Sequence, residues 1–83
     1  MTNVINQEVS VNAFYFAGQS MKTFPREIEY GGQAITFANG LRYLVQHSAE
    51  AVKLFDMNGA DGLTYRLQQQ GEHWTLLGTK GAF

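Results

Sequence analysis

Apolar and polar residues alternate along much of this chain, and the alternation is interrupted at glycine-bearing turns. Val9 to Phe16 is rich in β-branched and aromatic residues and stops at Gly18, which predicts a first strand. Pro25 follows Phe24 and biases it toward extended geometry, so no helix is expected there. From Arg26 to Phe37 the pattern predicts a hairpin. Gly31 and Gly32 can take the positive φ angles of a tight two-residue turn. Folding about that pair sets Tyr30 against Gln33, Ile28 against Ile35 and Arg26 against Phe37 on one apolar face. Glu27, Glu29, Ala34 and Thr36 then share the wet face.

The pattern next changes period. Asn39 is a potential helix cap, and Leu41, Leu44, Val45 and Ser48 follow at helical spacing, with Arg42, Gln46 and Glu50 on the far side. This predicts a short helix over residues 40 to 49. The same spacing can be extended through Val52 and Phe55 to Gly59, but Val52 to Met57 also makes a good strand before the turn residues Asn58 to Gly62. As a strand it would set Phe55 against Tyr65 and Met57 against Leu63. A second turn at Gln70 and Gly71 would set Leu67 against Trp74 and Tyr65 against Leu76. Both registers put Phe55, Tyr65, Leu67, Trp74 and Leu76 on one face, so two independent turns predict one core.

The expected fold is therefore α+β and mostly β: a curved antiparallel sheet or partly open barrel of about six strands with one short helix at about 40–49. At 83 residues the chain is one domain. Residues 1–7 and 79–83 carry no periodic pattern and are expected to be flexible.

Composition narrows the chemistry. With no cysteine, disulfides, thiolate metal sites and thiol nucleophiles are excluded. The start, Met1 to Asn6, has neither the basic residues nor the apolar run of a secretory signal, and no stretch approaches the roughly 20 apolar residues of a transmembrane helix. A cytoplasmic location with no membrane contact is the resulting expectation. Six basic and seven acidic residues are scattered along the chain, without the cationic cluster of a nonspecific nucleic-acid binder. A net charge near zero also weakens the self-repulsion that keeps small proteins apart.

Candidate chemical groups all have plainer readings. His47 and His73 fall in no metal-ligand spacing. The run Asp56 to Gly62 resembles a calcium loop at its start, but the fifth position is Ala60, the sixth is Asp61 where glycine is needed, and the twelfth is Leu67 where glutamate is needed. Side chains bonding their own turn backbone explain the same residues. Glu27 and Glu29 sit about 7 Å apart on one strand face, which is a solvated face more readily than a glycosidase pair. Ser10, Ser20 and Ser48 have no base nearby in sequence, and no phosphate loop or nucleophile elbow is present. No catalytic residue, cofactor or metal is assigned.

Phe14, Tyr15 and Phe16 are more informative, because consecutive strand residues point to opposite faces and at least one aromatic must leave the core. They are the candidate partner contact. The order Pro25, Arg26, Ile28, Tyr30, Gly32, then Phe55, Asp56, Gly62, Tyr65, Leu67, Gly71, Trp74 and Leu76 resembles small bacterial β-rich domains of unknown function over residues 25–77. The resemblance implies a hairpin followed by a meander and carries no activity. The leading expectation is a noncatalytic protein-interaction or small regulatory module whose partner is another protein or a second copy. The first alternative is a single-stranded nucleic-acid binder using Tyr15 or Phe16 with Lys22, Arg26, Arg42, Lys53 and Arg66. A small enzyme is the weakest alternative.

Overall fold

A computed structural model describes residues 2–18, 21–47 and 50–81. Its six strands follow one another in sequence: β1 (Thr2–Ala17), β2 (Lys22–Tyr30), β3 (Gln33–His47), β4 (Glu50–Gly59), β5 (Thr64–Gln70) and β6 (His73–Lys80). Each pairs antiparallel with the next, and β1 also pairs with β6, so the sheet closes into a barrel. The partly open arrangement expected from sequence is thus corrected to a closed one. Closure comes from Thr2–Val4 and Gln7–Val9 lying against β6, pairing that reaches into both terminal segments left out of the sequence pattern.

Two strands serve two neighbours each. β1 pairs with β6 up to Val9 and with β2 from Ser10 onward. β3 pairs with β2 through Thr36 and with β4 from Phe37 onward. The barrel is therefore a long sheet, with β1, β6, β5, β4 and β3 in order, folded against a short one made of β1, β2 and β3. Bulges make the bends. In β1, Ile5 and Asn6 face a single residue of β6, with Asn6 at φ 53°, a conformation asparagine tolerates better than most residues. In β2, Arg26 is the extra residue beside Pro25, which is where a sheet accepts proline.

The hairpin at Gly31 and Gly32 forms as its residues dictate. Both glycines have positive φ, and Tyr30 pairs with Gln33 and Ile28 with Ile35. Arg26 does not pair with Phe37 as expected; the ladder ends at Glu27 and Thr36, and Phe37 passes to Gly59 of β4. Expected registers later in the chain are off by two residues, except that Tyr65, expected against Leu76, pairs with Thr79, three residues on, because Leu77 is an extra residue that bulges β6. Phe55 pairs with Leu67 and Met57 with Tyr65, while Leu67 pairs with Leu76 and Gln69 with Trp74 across a turn at Gly71 and Glu72. Because side chains alternate with period two, a two-residue error keeps every residue on its own face. The core accordingly contains Phe55, Tyr65, Leu67, Trp74 and Leu76 as expected, with Ile28 and Phe37 from the apolar face of the hairpin, together with Val9 and Met57. Burying each such side chain contributes about 1.5–3 kcal/mol.

The helix expected at 40–49 is replaced by strand. β3 continues unbroken to His47, and residues 48 and 49 lie outside the described residues. Asn39, read as a helix cap, instead accepts a hydrogen bond from the Asn58 side chain at 2.5 Å. A ten-residue helix is marginal by itself, whereas this segment pairs continuously with β4 from Asn39 to His47. Gly40 sits where a Cβ would strike the Met57 side chain and, at 2.7 Å, the Asp56 carbonyl. Backbone pairing and that close approach outweigh four residues of ambiguous periodicity.

Candidate interaction surface

The outer face of the long sheet holds a concavity. Outward-facing positions of β3 and β4 oppose one another in register, with Leu41 against Asp56, Tyr43 against Leu54 and Val45 against Val52. Beside them a groove of about 450 Å³ is lined chiefly by Val4, Leu41, Asp56, Arg66, Leu77 and Gly78. Its apolar flanks are open to solvent, with Val4 79% and Leu41 61% exposed. The exposure matters because large apolar side chains in contiguous groups on a small domain mark contact surfaces.

Polar groups in the groove engage one another. Arg66 of β5 donates to both carboxylate oxygens of Asp56 from Nε at 2.7 Å and Nη2 at 2.8 Å, a forked geometry that fixes both side chains. The Asp56 carboxyl is held below its usual range mainly by this bond, with burial opposing it and the Tyr43 hydroxyl and Lys80 adding to it. The bond to Asp56 likewise raises Arg66. Asn58 links Asn39 to the Thr64 hydroxyl, which donates to Asn58 at 3.1 Å.

The Asp56 to Gly62 run resolves into separate roles. Asp56 belongs to the ion pair on β4. Asp61 accepts the Leu63 N–H at 3.0 Å and the Tyr65 hydroxyl at 2.5 Å, the side-chain-to-turn bonding expected of an aspartate there. The Tyr65 bond is the largest influence lowering Asp61. Among the described residues no three His, Asp or Glu side chains are grouped to hold a metal.

The candidate partner contact divides. Tyr15 is half-buried, its ring stacked on Phe24 at 5.3 Å with the Arg26 guanidinium 5.3 Å from its centre. Phe14 is 47% and Phe16 62% exposed. Phe14 reaches Trp74 at 6.0 Å, and Trp74 continues to Phe55 at 5.2 Å, so the first aromatic extends the core to the surface. Phe16 alone stands clear of the ring contacts. Elsewhere, His73 meets Glu8 at 3.1 Å on an exposed surface, and Glu27 accepts a hydrogen bond from Asn12 at 3.2 Å. The side chain of His47 lies outside the described residues. Thus the structure does not bring His73 and the Glu27 carboxylate into a shared hydrogen bond.

Sequence reasoning missed the groove residues Leu41, Asp56 and Arg66 as a set. The signal was present: Leu41, Tyr43 and Val45 alternate, as do Val52, Leu54 and Asp56, and the period-two reading becomes visible once residues 40–47 are taken as strand. Among the described residues no helix is long and apolar enough to cross a membrane. Comparison of the chain with protein-family models, curated proteins and solved structures found no match.

Proposed function

We propose that this domain is a noncatalytic interaction module of the cytoplasm, and that it meets its partner through the outer face of the long sheet. The observation that carries this reading is the solvent exposure of Val4 and Leu41 on either side of a preformed groove. The forked Asp56–Arg66 pair gives that face a fixed polar reference between its apolar flanks, the combination that confers orientation as well as affinity. The state of Asp56 also favours binding over catalysis. A general base is most effective with a pKa near the working pH, and here the carboxyl is moved the other way, by Arg66.

The test is site-specific photocrosslinking in the native host. A benzophenone amino acid at Leu41 is expected to give discrete adducts, and the same group at exposed Glu29 on the short sheet is not. Equal labelling from both positions, or none from Leu41, would refute the reading.

A second reading, binding of single-stranded nucleic acid, is favoured by exposed Phe16, whose neighbour Ala17 pairs with Lys22. Against it, the Tyr15 ring is already engaged by Phe24 and Arg26. A fluorescence titration with oligonucleotide at low salt, where the electrostatic contribution is greatest, discriminates; no binding there removes this alternative.

A further inference from the structure

The barrel closes through only four residue pairs between β2 and β3, from Tyr30–Gln33 to Glu27–Thr36. Beyond that seam the strands diverge, and among the described residues β3 from Asn39 onward has a strand partner on its β4 side only. Backbone alternation shows which groups are left over. Gly59 donates its N–H to Leu63, away from β3, and Ala60 donates to the Thr36 carbonyl. Counting along the ladder from there, the N–H and C=O groups of Gly40, Arg42 and Leu44 point away from β4. An open row of this kind is a template for another strand.

Other edges of this barrel carry the features that discourage such pairing. The β2 edge has Lys22, Pro25 and a bulge at Arg26. The first half of β1 is broken by the bulge at Ile5 and Asn6, and its second half by the bulge at Asn12. By contrast, β3 pairs without irregularity from Asn39 to His47 and contains no proline, no positive φ and a single full charge, Arg42. It also presents Leu41, Tyr43 and Leu44 to solvent.

We infer that the occupant of this edge is the same edge of a second copy, paired antiparallel about a two-fold axis at Tyr43. That register is set by side-chain complementarity. Centring on Arg42 would oppose two arginines. Centring on Tyr43 places Arg42 opposite the partner copy's Leu44, and Leu41 opposite its Val45, with the two tyrosines face to face. It also joins the outward-pointing backbone groups of Arg42 and Leu44 across the axis, as an antiparallel ladder requires. The long sheets of two barrels become one continuous sheet, and the rows Leu41, Tyr43, Val45 merge into a single apolar stripe on its outer face. This names one partner for the interaction module and rests on the premise that the domain acts by contact, but a copy can pair whether or not a foreign protein fills the groove.

Charge reversal at Leu44 tests the register in the full chain. The two-fold axis doubles each cross-strand pair, so L44E, facing Arg42, and L44K are expected to have dimerisation constants on the order of tenfold or more apart, with L44E the tighter. Analytical ultracentrifugation up to about 1 mM reads this directly. Since the chain has no cysteine, a single introduced thiol provides an independent readout. At a non-hydrogen-bonded pair on the axis, Cα atoms are about 4.5 Å apart. With oxidised glutathione as the oxidant, the two thiols of a Y43C dimer lose two protons and two electrons and form one disulfide, and the glutathione disulfide is reduced to two thiols. L41C is the control, since its two copies would stand about 13 Å apart. The inference is supported by disulfide formation in Y43C and not L41C together with the L44E–L44K ordering. Strict monomers throughout, equal behaviour of L44E and L44K, or equal crosslinking of Y43C and L41C overturns it. Leu41 photoadducts with a foreign protein would survive that result, so the two proposals fail separately.

Discussion

Trp74 is the side chain on which the core most visibly depends, and replacing it with alanine has a worked consequence. It is 7% exposed, and its ring links Phe55 at 5.2 Å to Phe14 at 6.0 Å. A buried indole removes about 150–250 Å² from water, worth roughly 4–6 kcal/mol at about 25 cal/mol per Å². Alanine retains a small part of this, and the surrounding barrel strands, held by their ladders, relax only partly into the space, so a loss of about 3–5 kcal/mol is expected. Total stability for a domain of this length is about 4–12 kcal/mol, which makes the variant marginal at room temperature. Its melting temperature should fall by roughly 12–40 °C. Urea unfolding followed by far-UV circular dichroism is the appropriate assay, because the substitution removes the only tryptophan. A midpoint shift corresponding to less than about 1 kcal/mol at unchanged slope would refute the packing derived for this ring.

Other expectations concern the seam, the turn and the charges. At Gly78 a Cβ would meet the Asn3 carbonyl where β1 closes the barrel, so Gly78→Ala is expected to cost about 1–3 kcal/mol in the same urea assay. Gly31 has φ 60° with open space around it; Gly31→Asn should leave the melt nearly unchanged, and Gly31→Val should destabilise by about 1–2 kcal/mol. Folding lowers the carboxyls of Asp56, through Arg66, and Asp61, through Tyr65, so their contribution is complete above the unfolded value of about 3.9 and is lost as pH falls through the folded values. Acid titration of stability should therefore be flatter in Asp56→Asn than in the native chain. Tyr65 is shifted upward, first by burial and then by its bond to Asp61, so its contribution is intact below about pH 10 and is lost as pH rises through the folded value. Alkaline unfolding should be correspondingly blunted in Tyr65→Phe.

Much of the core was legible because its signal is local and periodic. Ile28 and Ile35 on one face followed from the two glycines between them, and Tyr65, Leu67, Trp74 and Leu76 from alternation around Gly71. Residues 40–47 were misread because Leu41, Leu44 and Val45 fit a helical stripe, while the strand pattern Leu41, Tyr43, Val45 acquires meaning only beside Val52 and Leu54. The groove was illegible for a related reason. Its lining comes from Val4, Leu41, Asp56, Arg66 and Gly78, and no short window of sequence contains such a set.

Taken alone, the chain determined which segments extend, where two of them reverse, and which faces shed water, since steric limits on φ and the period of a strand act within a few residues. Tertiary structure decided the rest: that residues 2–9 close the barrel on β6, that β3 outruns its partner on β2, and that Asp56 meets Arg66 across two strands. The first joins opposite ends of the chain and the other two depend on the exact register and extent of neighbouring strands; all are selected by bulges and by the competition among strands for hydrogen-bonding neighbours, and that competition is resolved only when all six strands are present together.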